Sequence, residues 1–376
     1  MDTTINSAKE IIYKIASERI NRYRNGERVM NAPVSMLSAP GVGKSAVVSE
    51  IADWLDVPMV DVRLSAMEAA DVQGIPYVEN GEMRFSTPEW FPVVENGDDD
   101  CGIIFFDELS NAPRAVQQAA YRAVWDRTIQ NGKKLPDGWI IIAAGNRKED
   151  KTGAGDILPA LANRFATHIN IRPDLDDFLS YAAANGIHHH VQGYLAFKPA
   201  SLYQFDPKHH TESAFPSPRS WEFVSEHLKM GFSSEQLTFA LSGCIGEGTA
   251  HEFIGFQKFY SKLPNFKKII EGKETYKFPK DSDPGLVFAL VSSLVVYSFE
   301  TVQEEDWTGL DNLGSIIEQI PDEYVTLYFK QIRSYFEANQ PPEKRDEQQF
   351  AKVIHKSKKI GNSFTNIRKY TKTRSR

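Results

Sequence analysis

Cysteine and long apolar runs are both scarce in this sequence of 376 residues. Cys101 and Cys244 are its only cysteines and stand far apart, which excludes a disulfide framework and a cysteine zinc site. The longest apolar stretch, Leu286 to Phe299, includes three serines and predicts a buried helix rather than a membrane span. The N-terminus lacks the basic and then apolar pattern of a signal peptide. We therefore expect a cytoplasmic protein with no membrane association.

Acidic residues are missing from the last part of the chain. Residues 351–376 contain nine Lys or Arg and no Asp or Glu, whereas the other 350 residues carry 34 basic and 50 acidic side chains. The acidic body argues against a particle dedicated to binding DNA. The basic segment could bind nucleic acid or an acidic partner, fold back on its neighbours, or remain a solvated end.

Strand patterns are absent after Pro173, whereas short apolar runs alternate with helical patterns before it. An opening helix is expected at about 7–23. The order of strands and helices predicts an α/β fold with a five-stranded parallel sheet. The five runs are 34–37, 59–62, 103–106, 139–144 and 168–171.

The chain is long enough for two compact regions or for one large domain with an appendix. We expect an α/β domain at 1–173, followed by segments that are mainly helical. Asn80-Gly81 is a strong hairpin signal and predicts an insert at about 74–85. The predicted later divisions are a helical domain at 174–262, a helical extension at 263–350 and a basic tail at 351–376.

The run Ser38-Ala-Pro-Gly-Val-Gly-Lys-Ser45 lies between a predicted strand and a predicted helix, which is typical of a phosphate-binding loop. Gly41 and Gly43 allow backbone amides to turn toward a phosphate. Lys44 would reach the β and γ phosphates, and the Ser45 hydroxyl would bind Mg²⁺. The predicted nucleotide-binding residues are Pro40, Gly41, Val42, Gly43, Lys44, Ser45 and Ala46.

Two carboxylates, Asp107 and Glu108, follow the apolar run at 103–106. At the end of a buried strand beside a phosphate loop, Asp107 would hold Mg²⁺ together with Ser45, and Glu108 would polarise the attacking water. Without other motifs, such a pair is a structural coincidence about as often as it is a functional site. Its position 62 residues after Ser45 favours the functional interpretation.

Two more polar residues follow predicted elements of the same domain. Asn146 ends the fourth strand, where it could orient the water or simply begin a turn. Arg164 ends a short helix, where we expect it to be exposed and able to reach the γ-phosphate of a neighbouring subunit. From the residue alone, a surface arginine favoured by the helix dipole is the simpler interpretation.

In this order and spacing, the motifs over about residues 30–250 resemble an AAA+ ATPase. The wording Asp107-Glu-Leu-Ser-Asn-Ala-Pro113, the hairpin insert and Ser217-Pro-Arg219 make the sequence similar to the MoxR-like branch, the helix-2-insert clade. The resemblance implies a P-loop core and a helical lid. It also implies these roles: Lys44 and Ser45 in Walker A, Asp107 and Glu108 in Walker B, Asn146 as sensor 1, Arg164 as arginine finger and Arg219 as sensor 2.

The same resemblance implies a Mg-dependent ATPase that forms a ring, expected to be a hexamer, and remodels a partner protein as a chaperone does. ATP and Mg²⁺ are its expected cofactors. The catalytic group would be Glu108, Asn146, Arg164 and Arg219, and the metal ligands would be Ser45 and Asp107. The hairpin would line the central pore. Relatives commonly work with a partner that carries a von Willebrand factor A domain.

Two alternative functions remain open from the sequence. One is an ATP-gated nucleic-acid motor or module, related to restriction-type AAA+ proteins and using the basic tail. The other is a regulatory switch that binds ATP with little turnover. For His188–His190 and His209–His210, a position in a loop or on a helix surface is the better interpretation. A metal site is the weaker one, because no carboxylate or cysteine pattern accompanies these histidines.

Two positions depart from the family pattern. Ser38 replaces the first glycine of the phosphate loop, and Ser110 stands where many relatives have an arginine. Arg114 or Arg127 could partly substitute for that arginine at a subunit interface.

Overall fold

The computed structural model of the chain describes residues 2–94, 99–147, 150, 155–205, 214–279, 281–337 and 340–374, and only the backbone of 347 and 368–374. Its contacts divide the chain into two units, one ending at Asp174 and the other beginning at Leu175. Nearly all predicted site residues lie in the first unit, and Arg219 lies in the second.

A parallel sheet with strand order β1-β8-β2-β7-β6-β3 forms the centre of the first unit. It has six strands rather than the predicted five, because Asp2–Thr3 pairs with Asn170–Ile171 at the edge. A strand of two residues is too short to give an apolar run. The strands are β1 (Asp2–Thr3), β2 (Val34–Ser38), β3 (Met59–Arg63), β4 (Pro76–Glu79), β5 (Glu82–Phe85), β6 (Cys101–Asp107), β7 (Gly138–Asn146) and β8 (Thr167–Ile171).

Helices cover both faces of this sheet. Along β6, Ile104 and Phe106 belong to a core cluster with the helix α4 (Arg114–Trp125), whereas Ile103 and Phe105 point to the opposite face. There the helices α1 (Ile5–Arg24) and α2 (Lys44–Leu55) contact the central strands. The α/β class is therefore confirmed. The helices of this unit are α1 (Ile5–Arg24), α2 (Lys44–Leu55), α3 (Ala69–Gln73), α4 (Arg114–Trp125) and α5 (Pro159–Ala162).

The strands β4 and β5 form a separate antiparallel hairpin. Asn80 and Gly81 connect them with positive φ angles of 51° and 80°, as a tight hairpin turn requires. Both strands are largely exposed. The hairpin thus projects from the unit instead of extending the central sheet.

The second unit is helical throughout its described residues. Its helices are α6 (Leu175–Ala184), α7 (His189–Phe197), α8 (Pro218–Lys229), α9 (Ser234–Ile245), α10 (Glu247–Gln257), α11 (Phe266–Ile270), α12 (Pro284–Gln303), α13 (Trp307–Ile317), α14 (Asp322–Phe336), α15 (Glu347–Ile354) and α16 (Lys358–Arg374). From Leu175 onward, the described residues of the predicted segments 174–262, 263–350 and 351–376 fall within this one unit, because α12 contributes to both of its core clusters.

By length and composition, α12 is the one helix among the described residues that could cross a membrane. Its apolar window is 67% buried inside the unit. The helix therefore packs as the core helix that the sequence predicts.

The basic C-terminal segment folds onto this core. Ile354 on α15 and Ile360 on α16 are fully buried, and Phe364 is 8% exposed. Lys352, by contrast, is exposed. The segment is thus anchored by its apolar residues and is no solvated tail over the residues that the structure describes.

Candidate functional site

The phosphate loop connects β2 to α2 at the carboxyl edge of the sheet. Gly41 and Gly43 have φ angles of 75° and 105°, which glycine adopts without strain. No side chain caps the N-terminus of α2, and its first turn contains no acidic residue. The first amides of this helix therefore provide an anion site of the kind that binds phosphate.

Lys44 is held over the loop by three oxygen atoms. Its Nζ lies 3.0 Å from Ser38 Oγ, 3.5 Å from the Ala39 carbonyl oxygen and 3.1 Å from Asn146 Oδ1. Ser38 is the last residue of β2 and does not have a positive φ. No glycine is required at that position, and the Ser38 hydroxyl accepts a hydrogen bond from the lysine.

Ser45 and Asp107 meet at the same edge. The Ser45 hydroxyl donates to Asp107 Oδ2 over 3.1 Å, and the Glu108 amide donates to Asp107 Oδ1 over 2.8 Å. Asp107 is 8% exposed. Because β2, β7 and β6 are neighbours in the sheet, three separated motifs converge here.

Glu108 has an unusual backbone and a bound side chain. Its φ of 56° lies in the left-handed region, which non-glycine residues rarely adopt and which is common at functional sites. The Ser65 hydroxyl, from the turn after β3, donates to Glu108 Oε2. Sequence reasoning missed Ser65, because nothing in the pattern after β3 links it to the Asp-Glu pair.

Negative charge accumulates around this edge. Partial burial raises the pKa of Asp61 above its ordinary value, and the Asp107 and Glu108 carboxylates raise it further. Within the described ranges, no group of three or more His, Cys, Asp or Glu side chains could hold a metal. Mg²⁺ commonly binds one or two protein groups together with phosphate oxygens and water, and Ser45 with Asp107 fits that requirement.

Asn146 ends β7 beside the loop. It pairs in register with Ser38, and its side-chain oxygen accepts from Lys44. Its backbone N–H donates to Ser110 Oγ over 2.8 Å. Ser110 is therefore a buried partner of Asn146 rather than an interface residue.

Arg164 lies just after α5 and is half-buried rather than exposed as expected. Its guanidinium stacks 3.6 Å from the ring centre of Tyr121 on α4 and donates to the Tyr121 hydroxyl. Trp125 lies farther along the same helix, with its ring 5.8 Å from the guanidinium. The chain thus holds Arg164 against its own α4.

The remaining predicted arginines have different environments. Arg219 is exposed at the second position of α8, after Ser217 caps that helix. Arg114 is exposed at the start of α4. Arg127 donates to the carbonyl oxygens of Pro136 and Trp139, and burial lowers its pKa to about 9. The buried Arg127 is not available to a neighbouring chain.

The histidine run forms a partly buried cluster, in contrast to the expected surface position. Rings of His188, His189 and His190 lie 4.4–4.7 Å apart, and His190 stacks on Tyr260 at 3.6 Å. Burial lowers the pKa of His189 to about 3 and that of His190 to about 2. The second pair, His209–His210, lies outside the described residues.

In chemical terms, the first unit combines an anion-binding helix terminus, a lysine, a hydroxyl with a carboxylate for a divalent cation, and a second carboxylate. The lysine and the helix terminus can bind phosphates, and Glu108 can accept a proton from water. This combination is suited to phosphoryl transfer to water.

Comparison with known proteins agrees with this reading. Residues 33–165 match the family of AAA domains of the dynein-related subfamily. No curated protein is similar enough in sequence to match.

Three solved structures show low overall similarity. RuvB from Thermotoga maritima, in a mutant form, is 16% identical, with 70% of this chain and 75% of that chain covered and a TM-score of 0.38. NtrX from Brucella abortus in complex with ATP is 13% identical, with 81% and 66% covered and a TM-score of 0.36. Hsp104 with ATPγS and casein is 17% identical, with 61% and 42% covered and a TM-score of 0.33. At these TM-scores the likeness carries no argument about function.

The family match and the convergence of the loop with Asp107, Glu108 and Asn146 lead to one conclusion. Residues 33–165 of this chain are similar to an AAA domain and carry the site of an ATPase.

Proposed function

We propose that this chain is a cytoplasmic, ring-forming ATPase of the MoxR-like branch that uses Mg²⁺ and remodels a partner protein. The observation that carries the proposal is the meeting of Lys44, Ser45, Asp107 and Asn146 at one sheet edge. In the nucleotide-bound state, Lys44 would exchange its contacts with Ser38 and Asn146 for phosphate oxygens. Asn146 would then be free to bind the γ-phosphate or the attacking water.

Hydrolysis would depend on Glu108 as the base that orients water, with Mg²⁺ supplying charge neutralisation between Ser45, Asp107 and the phosphates. Arg164 would act on the site of the next subunit, and Arg219 on the nucleotide of its own chain. Stacking on Tyr121 limits the guanidinium to few orientations, so less entropy is lost when it contacts a neighbour's phosphate. A hexamer is the ring size we propose.

The hairpin supports a polypeptide as the client. Val78 and Met83 are cross-strand partners on one face and are 76% and 69% exposed. On the other face, Arg84 pairs with Glu79 over 3.0 Å and with Glu82 over 3.6 Å. An exposed apolar face with a neutralised arginine suits an unfolded protein segment better than a phosphate backbone. A von Willebrand factor A protein is the partner that we propose, on family resemblance.

Three variants test the proposed ATPase. Lys44→Ala should abolish nucleotide binding, because it removes the main phosphate-binding cation. Glu108→Gln should bind ATP but hydrolyse it at least about a hundredfold more slowly. Arg172→Ala removes an exposed arginine of the same unit and should retain activity as the matched control. Unchanged turnover in Glu108→Gln would contradict the assigned base and favour a switch with little turnover.

Mixed oligomers test the split site. An equal mixture of Arg164→Ala and Glu108→Gln chains should regain activity that neither has alone, because an intact site and an intact arginine then meet between subunits. Absence of recovery while both variants assemble would overturn the role of Arg164.

A nucleic-acid module is the second candidate, and the basic C-terminal segment favours it. Lys352 and Lys358 are exposed and have no ion pair among the residues that the structure describes, while Lys356 lies 4.4 Å over the Trp307 ring. Stimulation of ATPase activity by DNA or RNA at low salt, lost in a Lys352→Gln, Lys356→Gln, Lys358→Gln variant, would support it. An ATPase rate that does not change when DNA or RNA is added at low salt would exclude it.

A further inference from the structure

Ser110 occupies a buried position between the Asp-Glu turn and the end of β7. It is 2% exposed and lies in the short turn Leu109–Asn111 directly after Glu108. Its hydroxyl oxygen accepts from the Asn146 amide over 2.8 Å, and its carbonyl oxygen accepts from the Gly155 amide over 2.8 Å. One residue thus connects the segment that carries Glu108 to the strand that ends in Asn146.

The contact leaves no spare room at β7. A Cβ atom placed on Gly145 would lie 2.8 Å from Ser110 Oγ and 3.1 Å from Ser110 Cβ. Separations of this size force a neighbour to move. The close approach therefore needs a glycine at 145 and a small side chain at 110, and the Ser110 hydroxyl provides an acceptor for the backbone N–H of Asn146.

This contact holds the backbone from which the Asn146 side chain extends. Ser110 accepts from the backbone N–H of Asn146, and the side-chain Oδ1 of Asn146 lies 3.1 Å from Lys44 Nζ. Glu108 is two residues before Ser110 and is itself fixed through Ser65. Movement of the Ser110 turn would change the distance between the base and the asparagine.

We infer that Ser110 is a positioning residue for hydrolysis, one that sets Asn146 relative to Glu108 through its hydroxyl. The inference rests on the proposed ATPase function. Ser110 is buried and acts through Asn146. The carbonyl contact to Gly155 does not depend on the side chain, so substitutions at 110 should leave the segment leading to Arg164 in place.

Steady-state kinetics separate positioning from binding. Ser110→Ala should lower kcat about tenfold or more, since small misplacements at a reacting centre have effects of this size, and should change the affinity for a fluorescent ATP analogue by less than about twofold. Ser35→Ala is the matched control, because Ser35, on β2, is another buried serine of the first unit at 1% exposure. Gly145→Ala, which displaces Ser110 without removing its hydroxyl, should reproduce the loss of kcat.

Mixed oligomers then locate the effect. In the mixture of Arg164→Ala and Glu108→Gln chains, Ser110→Ala is added first to the chain with the intact site and then to the chain that donates Arg164. Recovered activity should fall in the first mixture and stay unchanged in the second. Equal activity in both mixtures, or a fall only in the second, would overturn the inference.

The two proposals fail differently. If the parent mixture without Ser110→Ala recovers nothing, the split site fails, and the kcat of Ser110→Ala chains alone still tests the positioning role. If the parent mixture recovers but kcat of Ser110→Ala equals that of Ser35→Ala, only the positioning role fails. Thermal unfolding of each variant shows that the chains compared are folded.

Discussion

At the scale of single residues, Glu108 is held away from free rotation. Its left-handed backbone and the hydrogen bond from Ser65 fix the carboxylate. A hydrogen bond to a charged acceptor contributes roughly 1.5–3 kcal/mol. If Glu108 activates water as proposed and gives up part of this contact to do so, Ser65 would restrain basal hydrolysis.

Ser65→Ala should therefore raise the basal ATPase rate, by up to about tenfold if about 1.4 kcal/mol of the contact must be lost to reach the transition state. The measurement is steady-state phosphate release at saturating ATP. Ser65→Thr keeps the hydroxyl and should remain near the rate of the unmodified chain. A rate that falls in Ser65→Ala and not in Ser65→Thr would instead make the contact part of the active arrangement.

The histidine cluster should make the second unit sensitive to acid. Burial, and then the neighbouring imidazoles, lower the folded-state pKa of His189 and His190 to about 3 and about 2, below the ordinary value of 6.5. The unfolded chain then binds more protons below pH 6.5. The contribution of these neutral histidines to the free energy of unfolding is therefore fully present above pH 6.5. As the pH decreases toward 3, the free energy of unfolding falls by at most about 1.4 kcal/mol per pH unit for each imidazole.

Urea denaturation at pH 7.5 and pH 5.5 measures this effect. The loss of stability between the two should be about 1 kcal/mol smaller in His190→Gln than in the unmodified chain. Lys229 faces His188, and Tyr260 packs on His190, so both remain in the background of each measurement. His251→Gln, on an exposed histidine of α10, is the control and should leave the loss unchanged. Equal losses in all three chains would contradict the assignment.

At the scale of elements, we expect the hairpin to bind the proposed client without taking part in catalysis. Val78→Ser with Met83→Ser should reduce affinity for a labelled, reduced and carboxymethylated lactalbumin about tenfold, since apolar area is lost from an exposed face. Stability should change by no more than about 0.5 kcal/mol, because both side chains are exposed. Basal hydrolysis should be unchanged.

Glu79→Gln with Glu82→Gln alters the opposite face of the same hairpin and is the matched control. It should leave polypeptide affinity nearly unchanged. If the polypeptide affinity falls more in this variant than in the variant with Val78→Ser and Met83→Ser, binding of the client through the apolar face would be contradicted.

At the scale of the whole molecule, the C-terminal segment belongs to the core of the second unit. A chain ending at residue 350 loses the buried side chains of Ile354, Ile360, Phe364 and Ile367. Each contributes about 1.5–3 kcal/mol, and their sum is comparable with the stability of a whole domain. The truncated chain should lose helical circular dichroism and aggregate, whereas the triple lysine-to-glutamine variant should melt as the unmodified chain does.

This expectation changes how nucleic-acid binding is tested. Loss of binding in the truncated chain would reflect unfolding of the second unit. Retention of a cooperative melt by the truncated chain would contradict the role of α15 and α16 in the core.

Some parts of this chain can be predicted from the local sequence, and others cannot. The phosphate loop and the apolar strands can be recognised from the local sequence, because glycine spacing and branched residues favour particular backbone conformations. The strand Asp2–Thr3 leaves no such signal, because its pairing depends on β8, far away in sequence. The histidine run likewise reads as polar surface until Tyr260, from another element, packs against it.

The sequence by itself determined the α/β class, the phosphate loop and the acidic pair, because each depends on residue types at short, fixed spacing. Only the tertiary structure decided how Ser65 and Ser110 hold Glu108 and Asn146, and how Ser38 and Asn146 share Lys44, since Ser65, Ser110 and Asn146 lie far in sequence from their partners. It also placed Arg164 on Tyr121 and the basic segment on the second core. The physical reason is the same throughout: hydrogen bonds and packing between distant segments depend on register and burial, which local patterns do not carry.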